Sequence, residues 1–226
     1  TDEKENKWAK EVGIQTTGIL IDKDGKLLCV TDVSCLIDNE GVLTIPSRVK
    51  TISEGAFSGI DINIKKVIIP STCKAIEQNA FNGQDQIEEV IMEDNGVEKM
   101  GTGVFKRCTN LKHVKMANSV TDIMGDIFFG CKNLKTLELS NKINTIATYN
   151  FYNCSSLESL TIPDSVKTIG PYAFQGCKNL ENLKIGNGVT SIGTGAFYGC
   201  TKLLVTVAES NPKYKTIGNA LCTSNG

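Results

Sequence analysis

Hydrophobic positions along the chain return with a long, fixed period. Phe stands at 57, 81, 105, 128, 151, 174 and 197, with spacings of 24, 24 and then 23 residues four times over. The same pattern surrounds each one: V-x-x-I-x-x-x-A-F-x-G-C-x-x-L-x-x-[VL]-x-[IM], clearest from Val166 to Ile185. Self-similarity of this kind marks a repeat architecture, and 23 residues is too short for a two-helix repeat but fits one coil of a solenoid. The second half of the unit alternates as a half-buried strand does. No coil is large enough to hold a core of its own, so each buries its Val, Ile, Phe, Cys and Leu against its neighbours. The pattern predicts a right-handed stack of about seven coils, roughly 35 Å long at one strand spacing per coil. A parallel β-sheet forms one face, and A-F-x-G-C forms a short helical turn on the other. Gly101, Gly170 and Gly193, each just after the Ile slot, are expected at turns of positive φ.

With its trailing I-P, the unit resembles the BspA-like leucine-rich repeats, from about Val42 to Val207. Departures are local: Arg107 and Asn153 replace the Gly, Ile127 and Asn150 the Ala, and Ile60 and Gln84 the Cys. The resemblance implies a leucine-rich-repeat solenoid over 42–207 with non-repeat caps. It also implies a bacterial or protozoan protein, secreted or on the cell surface, that attaches to proteins of a host or a neighbouring cell without catalysis. A spacer that projects another domain from the cell envelope is the alternative. Residues 1–41 read as a charged lead, Thr1–Val12, and a hairpin cap, Ile19–Val30, with an Asp24-Gly25 turn. The hairpin shields the first coil from edge-to-edge pairing. Residues 208–226 echo the repeat once more at Asn211–Cys222, as a closing cap or the start of further chain. The first residue is Thr1, and a removed signal peptide is the expectation.

Charge adds exclusions. Against 25 Asp and Glu stand 24 Lys and Arg, for a net −1, without the basic excess of a nucleic-acid binder. No apolar run approaches the ~18–20 residues of a membrane helix. The one histidine, His113, rules out a multi-histidine metal site. It points outward from its strand, with Thr136 and Ser159 in the same column, Glu89 and Glu138 as the nearest acids, and no Asp partner for a triad. Of nine cysteines, Cys108, Cys131, Cys154, Cys177 and Cys200 sit one repeat apart without the C-x-x-C spacing of a zinc site. Their stacked Cβ vectors run parallel rather than converging on a disulfide. They read as small buried hydrophobes with free thiols; a Cys29–Cys35 pair in the first cap is the one bridge to watch. Asp22-Lys-Asp24-Gly25 lacks the distal ligands of a calcium loop, and Gly186-Asn-Gly188 is a turn rather than a phosphate loop. No cofactor and no enzymatic activity are expected.

Two surfaces remain for a protein partner. The strand face, concave in solenoids of this kind, shows one column of Lys66, Glu89, His113, Thr136, Ser159 and Asn182. Beside it runs Thr44, Ile68, Ile91, Lys115, Glu138, Thr161 and Lys184. The turn face carries Phe129, Tyr152 and Tyr198 in the slot after the repeated Phe, and Tyr149 and Tyr172 in the slot before Ala. Side by side these would form an aromatic strip, of a composition enriched at interfaces. Packing between coils is an equal claim on the same rings. The expected partner is a host extracellular-matrix or cell-surface protein, or another microbial surface protein, bound by a monomer.

Overall fold

Each unit closes one three-sided turn of a solenoid. The structure, a computed structural model, describes residues 13–16, 18–31, 37–60, 63–218 and 220–224. The first side holds Val42–Thr44, Lys66–Ile69, Glu89–Met92, His113–Lys115, Thr136–Glu138, Ser159–Ile162, Asn182–Ile185 and Leu204–Val207. Apart from one step described below, neighbours pair in parallel and in register, Lys66 on Glu89, Glu89 on His113 and His113 on Thr136. Eight strands on this side make about eight turns rather than seven, because Val42–Thr44 lies ahead of the first repeated Phe and completes a turn of its own. The second side is a run of two-residue strands from Thr51–Ile52 to Ser191–Ile192.

The third side corrects an expectation. The A-F-x-G-C stretch is not helical; among the described residues there is no helix. Its backbone explains why. In all seven coils the residue before the Ala slot and the residue in the Gly slot have positive φ: Gly55 and Gly59, Asn79 and Gly83, Gly103 and Arg107, Asp126 and Gly130, Tyr149 and Asn153, Tyr172 and Gly176, Gly195 and Gly199. A helix needs an unbroken run of right-handed residues, and a left-handed residue every four positions folds the stretch into successive tight turns. The freed amides reach the next coil instead. Phe81 N–H donates to the Val104 carbonyl at 3.0 Å, Phe105 to Ile127 at 3.0 Å and Phe151 to Ala173 at 2.7 Å. This side is therefore a third inter-coil ladder.

The Gly slot after Ile also differs from expectation. Gly101, Gly170 and Gly193 are absent from the positive-φ positions. They are small because the preceding coil lies against them. A Cβ on Gly101 would sit 2.5 Å from Gln78 N, and one on Gly193 2.4 Å from Pro171 N.

The core is a column of rings. Phe57, Phe81, Phe105, Phe128, Phe151 and Phe174 are at most 1% exposed, and successive centroids lie 4.4–5.8 Å apart at interplanar angles of 8–21°. Each such pair contributes about 0.5–1.5 kcal/mol beyond its buried area. Beside the rings, the Cys column does more than fill space. Cys108, Cys131, Cys154, Cys177 and Cys200 each donate an S–H to the carbonyl of the preceding coil's Phe at 3.0–3.2 Å.

Both ends leave the repeat as antiparallel hairpins. Ile19–Asp22 pairs with Lys26–Val30, and Asp22 Oδ1 accepts from the amides of Asp24 and Lys26 at 2.9 and 2.8 Å. Lys26–Val30 then pairs in parallel with Thr51–Ile52, continuing the second side. At the other end Tyr214–Ile217 pairs with Ala220–Thr223. Buried Asn211 ties the approach to this hairpin to the last coils. Its Nδ2 donates to the carbonyls of Gly186 and Val189, and its Oδ1 accepts from the amides of Lys213 and Tyr214. The lead 1–12 and Cys35, with its possible bridge to Cys29, lie outside the described residues.

Two glycines separate the two reasons for glycine in this fold. Gly83→Ala meets an open surface at φ +72° and should cost about 1–2 kcal/mol for the left-handed backbone alone. Gly101→Ala has an ordinary φ but must push backbone aside, an overpacking cost of about 1–3 kcal/mol. Urea midpoints of the two variants check this; a Gly101→Ala protein as stable as the parent would contradict the close approach.

Candidate functional site

On the first side the outward columns fall where the alternation placed them, Lys66 to Glu89 to His113 to Thr136 and Ile68 to Ile91 to Lys115 to Glu138. Ser159 pairs with Asn182 and Thr161 with Lys184. Between Thr136–Glu138 and Ser159–Ile162 no pairing exists, so each column is interrupted once. Lys66 Nζ lies 3.0 Å from Glu89 Oε2, Lys112 Nζ 2.7 Å from Glu88 Oε2 and Lys115 Nζ 3.9 Å from Asp94 Oδ2. Such partly exposed pairs are screened by solvent and mainly neutralise the surface. The Lys112 ammonium holds the Glu88 carboxyl below its ordinary value, through their hydrogen bond first and its charge second. Ile68 and Ile91 are half-buried rather than exposed, which leaves less apolar surface here than the sequence suggests. His113 Nδ1 lies 2.6 Å from Thr136 Oγ1, a surface contact. Among the described residues no group of three His, Cys, Asp or Glu side chains could hold a metal ion.

The third side carries a denser feature. Phe129 and Tyr152 stack at 4.7 Å and 10°, and Tyr149 and Tyr172 at 5.4 Å and 10°. The two pairs meet nearly at right angles: Tyr149 is 76° from Phe129 and 84° from Tyr152. Four of the five sequence-predicted rings thus form one corner-shaped cluster, each ring half-buried. Tyr198 lies apart from it, 71% exposed on the last coil. Lys106 was not foreseen. Its ammonium sits 4.8 Å above the Phe129 ring and 2.7 Å from Asp126 Oδ2, closing one end of the cluster. Gly195 makes room for the Tyr172 ring, since a Cβ there would lie 2.6 Å from it.

Two of these tyrosines are unusual in backbone as well. Tyr149 and Tyr172 have φ of +57° and +54° at a slot that the other coils fill with Gly, Asn or Asp. That conformation costs a residue with a Cβ about 1–2 kcal/mol. Ring contacts offset that cost: Tyr149 meets three rings and Tyr172 one, each worth about 0.5–1.5 kcal/mol. The aromatic residues are visible in the sequence, but the strain is not.

The thiols behave as structural groups. Burial raises Cys73 to about 11 and Cys108 to about 12, and drives Cys154 higher. Burial raises Cys177 as well.

These findings agree with comparisons to known proteins. The BspA type leucine rich repeat region family matches the chain in six copies over residues 39–156 and 98–224. A leucine rich cell surface protein of Faecalibacterium prausnitzii A2-165 is similar in structure, with a TM-score of 0.76 and 27% identity over 95% of this chain. The chain spans 59% of that protein's length. A leucine-rich repeat protein of Eubacterium ventriosum has a TM-score of 0.50 at 25% identity, over 70% of this chain and 48% of its own. The leucine rich repeat protein of T. pallidum shares the fold, with a TM-score of 0.57 at 20% identity over 84% of this chain and 90% of its own. No curated protein sequence matches the chain.

The thiols give a direct test. The buried thiols Cys73 and Cys108 stay protonated well above 9.0, the value of an unperturbed thiol. Their contribution to stability is therefore complete below about pH 9 and is lost as pH rises towards about 12. Denaturation midpoints at about pH 8 and about pH 10.5 should fall in that order. Mass mapping after iodoacetamide treatment of the native protein should find Cys222 modified and Cys108, Cys131 and Cys154 untouched.

Proposed function

The chain belongs to the BspA-type leucine-rich-repeat family, and from that membership we propose a non-catalytic protein-binding module, secreted or displayed at a cell surface. Its partner is a protein of a host or of a neighbouring cell, and its contact surface is the cluster of Phe129, Tyr149, Tyr152 and Tyr172. One observation carries the choice of face. Two tyrosines occupy left-handed positions that the other coils fill with Gly, Asn or Asp. Backbone strain held at a particular place points to use of that place. Tyrosine also suits the role, since a rigid ring with a polar tip is the side chain most often found at binding hot spots. The fold supports a scaffold reading over an enzymatic one, as its outward columns mix the ion-paired Lys66 and Glu89 with half-buried Ile68 and Ile91 and with small polar residues. The cell-surface description belongs to the Faecalibacterium protein, and placing this chain there rests on family likeness. No helix among the described residues is long and apolar enough to cross a membrane.

The test is label-free binding of the purified chain to immobilised extracellular-matrix, plasma and microbial surface proteins. Tyr152→Ala should weaken binding at least about tenfold, the effect of losing a hot-spot ring, while Ile91→Glu stays within about twofold of the parent. Tyr149→Gly should lose binding while remaining folded by circular dichroism. Loss in Ile91→Glu alone would move the site to the strand face. No binding to any protein on the panel would favour the spacer reading.

A further inference from the structure

The repeat is interrupted at one level. On the first side, Glu88 and Glu89 donate to the Lys65 carbonyl, Lys112 and His113 to Glu88, Lys135 and Thr136 to Lys112, and Glu181 and Asn182 to Glu158. Among the described residues, the corresponding bonds from Glu158 and Ser159 to Lys135 are missing. The second side breaks at the same level. Thr121 donates to Glu98 and Lys167 to Asn144, Gly170 to Ile146 and Met124 to Met100, but neither Asn144 nor Ala147 reaches the coil before it. The corner between the two sides repeats the gap. Asn118 N–H donates to Asp94 Oδ1 and Asn187 N–H to Asp164 Oδ1, whereas Asn141 and Asp164 share no such bond.

Side chains follow the backbone. Leu137 and Leu139 are partly exposed, while their counterparts Val90, Met92, Leu183 and Ile185 are at most 1% exposed. An open groove of about 790 Å³ lies between Thr136–Leu139 and Ser159–Thr161.

The third side stays joined across this level. Asp126 N–H donates to Thr148 at 3.2 Å, Phe128 to Asn150 at 2.9 Å, Gly130 to Tyr152 at 2.8 Å and Ser156 to Lys132 at 3.0 Å. Phe128 stacks on Phe151 at 5.6 Å, and Phe129 on Tyr152. Here lies Asn150, the polar side chain in the Ala slot, 1% exposed. Its Oδ1 accepts from Ile127 N–H, and its Nδ2 has no partner.

We propose that the solenoid is two stiff blocks that bend against each other at this seam, opening on the strand side and pivoting on the aromatic side. Every coil step is ordinarily held on three sides; this one is held on a single side, and a plate joined along one edge rotates about that edge. The unpaired Nδ2 of Asn150 removes part of the energetic reason for one closed arrangement, since a buried unsatisfied donor costs about 1–3 kcal/mol.

Pulsed electron paramagnetic resonance on the full chain tests the bend. Spin labels go onto noncanonical azide residues, leaving the nine cysteines untouched. Three pairs each span four coil steps, about 19 Å at the strand spacing. Thr44 with Glu138 lies within the first block on the strand side. Lys115 with Thr206 crosses the seam on that side, and Asn82 with Gln175 crosses it on the turn side. The Lys115–Thr206 distribution should be at least about twice as wide as the other two, as expected for exchange between bent states. Equal widths in all three pairs would overturn the proposal. A broad Asn82–Gln175 distribution would also overturn it, because the coils would then be separating rather than pivoting. The readout involves no binding partner, so it stands or falls separately from the proposed contact surface.

Discussion

The backbone hydrogen bond between consecutive coils is the interaction on which everything else in this molecule depends. A single turn of about 23 residues encloses too little apolar surface to offset the conformational entropy of ordering it. Its carbonyls and amides also point along the solenoid axis, out of the turn itself. Only a neighbour of the same shape satisfies them, and that neighbour brings the next Phe, the next thiol and the next Leu into contact at the same spacing. The Cys column shows the economy of the arrangement: a side chain small enough for the interior, with one donor, meets a carbonyl left beside the stacked rings.

Much of this was legible in the residue pattern. The period, the slot assignments, the outward columns and the Asp24-Gly25 hairpin all follow from side-chain polarity and turn chemistry, which are local. The turn side was misread for a physical reason. Ala-Phe has ordinary helix-forming composition, and the left-handed positions before Ala and at Gly are occupied in part by Tyr149, Tyr172 and Arg107, which carry no signal for positive φ. Gly101 was misread the other way. Glycine suggested backbone freedom, but what the site needs is absence of a Cβ beside Gln78.

The candidate site was half legible. Five aromatic residues could be placed on one face, but not the right-angled meeting of two pairs or the closing Lys106. The seam left almost no trace, because Thr136–Glu138 and Ser159–Ile162 alternate as regularly as any other strands. Ile127, Asn150 and Asn153 depart from the pattern there, and substitutions in single slots do not reveal a gap on the two opposite sides. Long-range register between coils is a collective property, and a single repeat does not encode it.

The direction of the inter-coil bonds has a mechanical consequence. They lie along the solenoid axis, so a pull applied at the two ends loads them in tension, one ring of bonds after another, rather than in shear across a whole sheet. Extension is then borne by the weakest ring first, and that ring is the one spanned by Phe128–Phe151 and Phe129–Tyr152. Under flow or traction such a chain would lengthen in steps, yielding at a preset point near its middle while the coils on either side keep their shape.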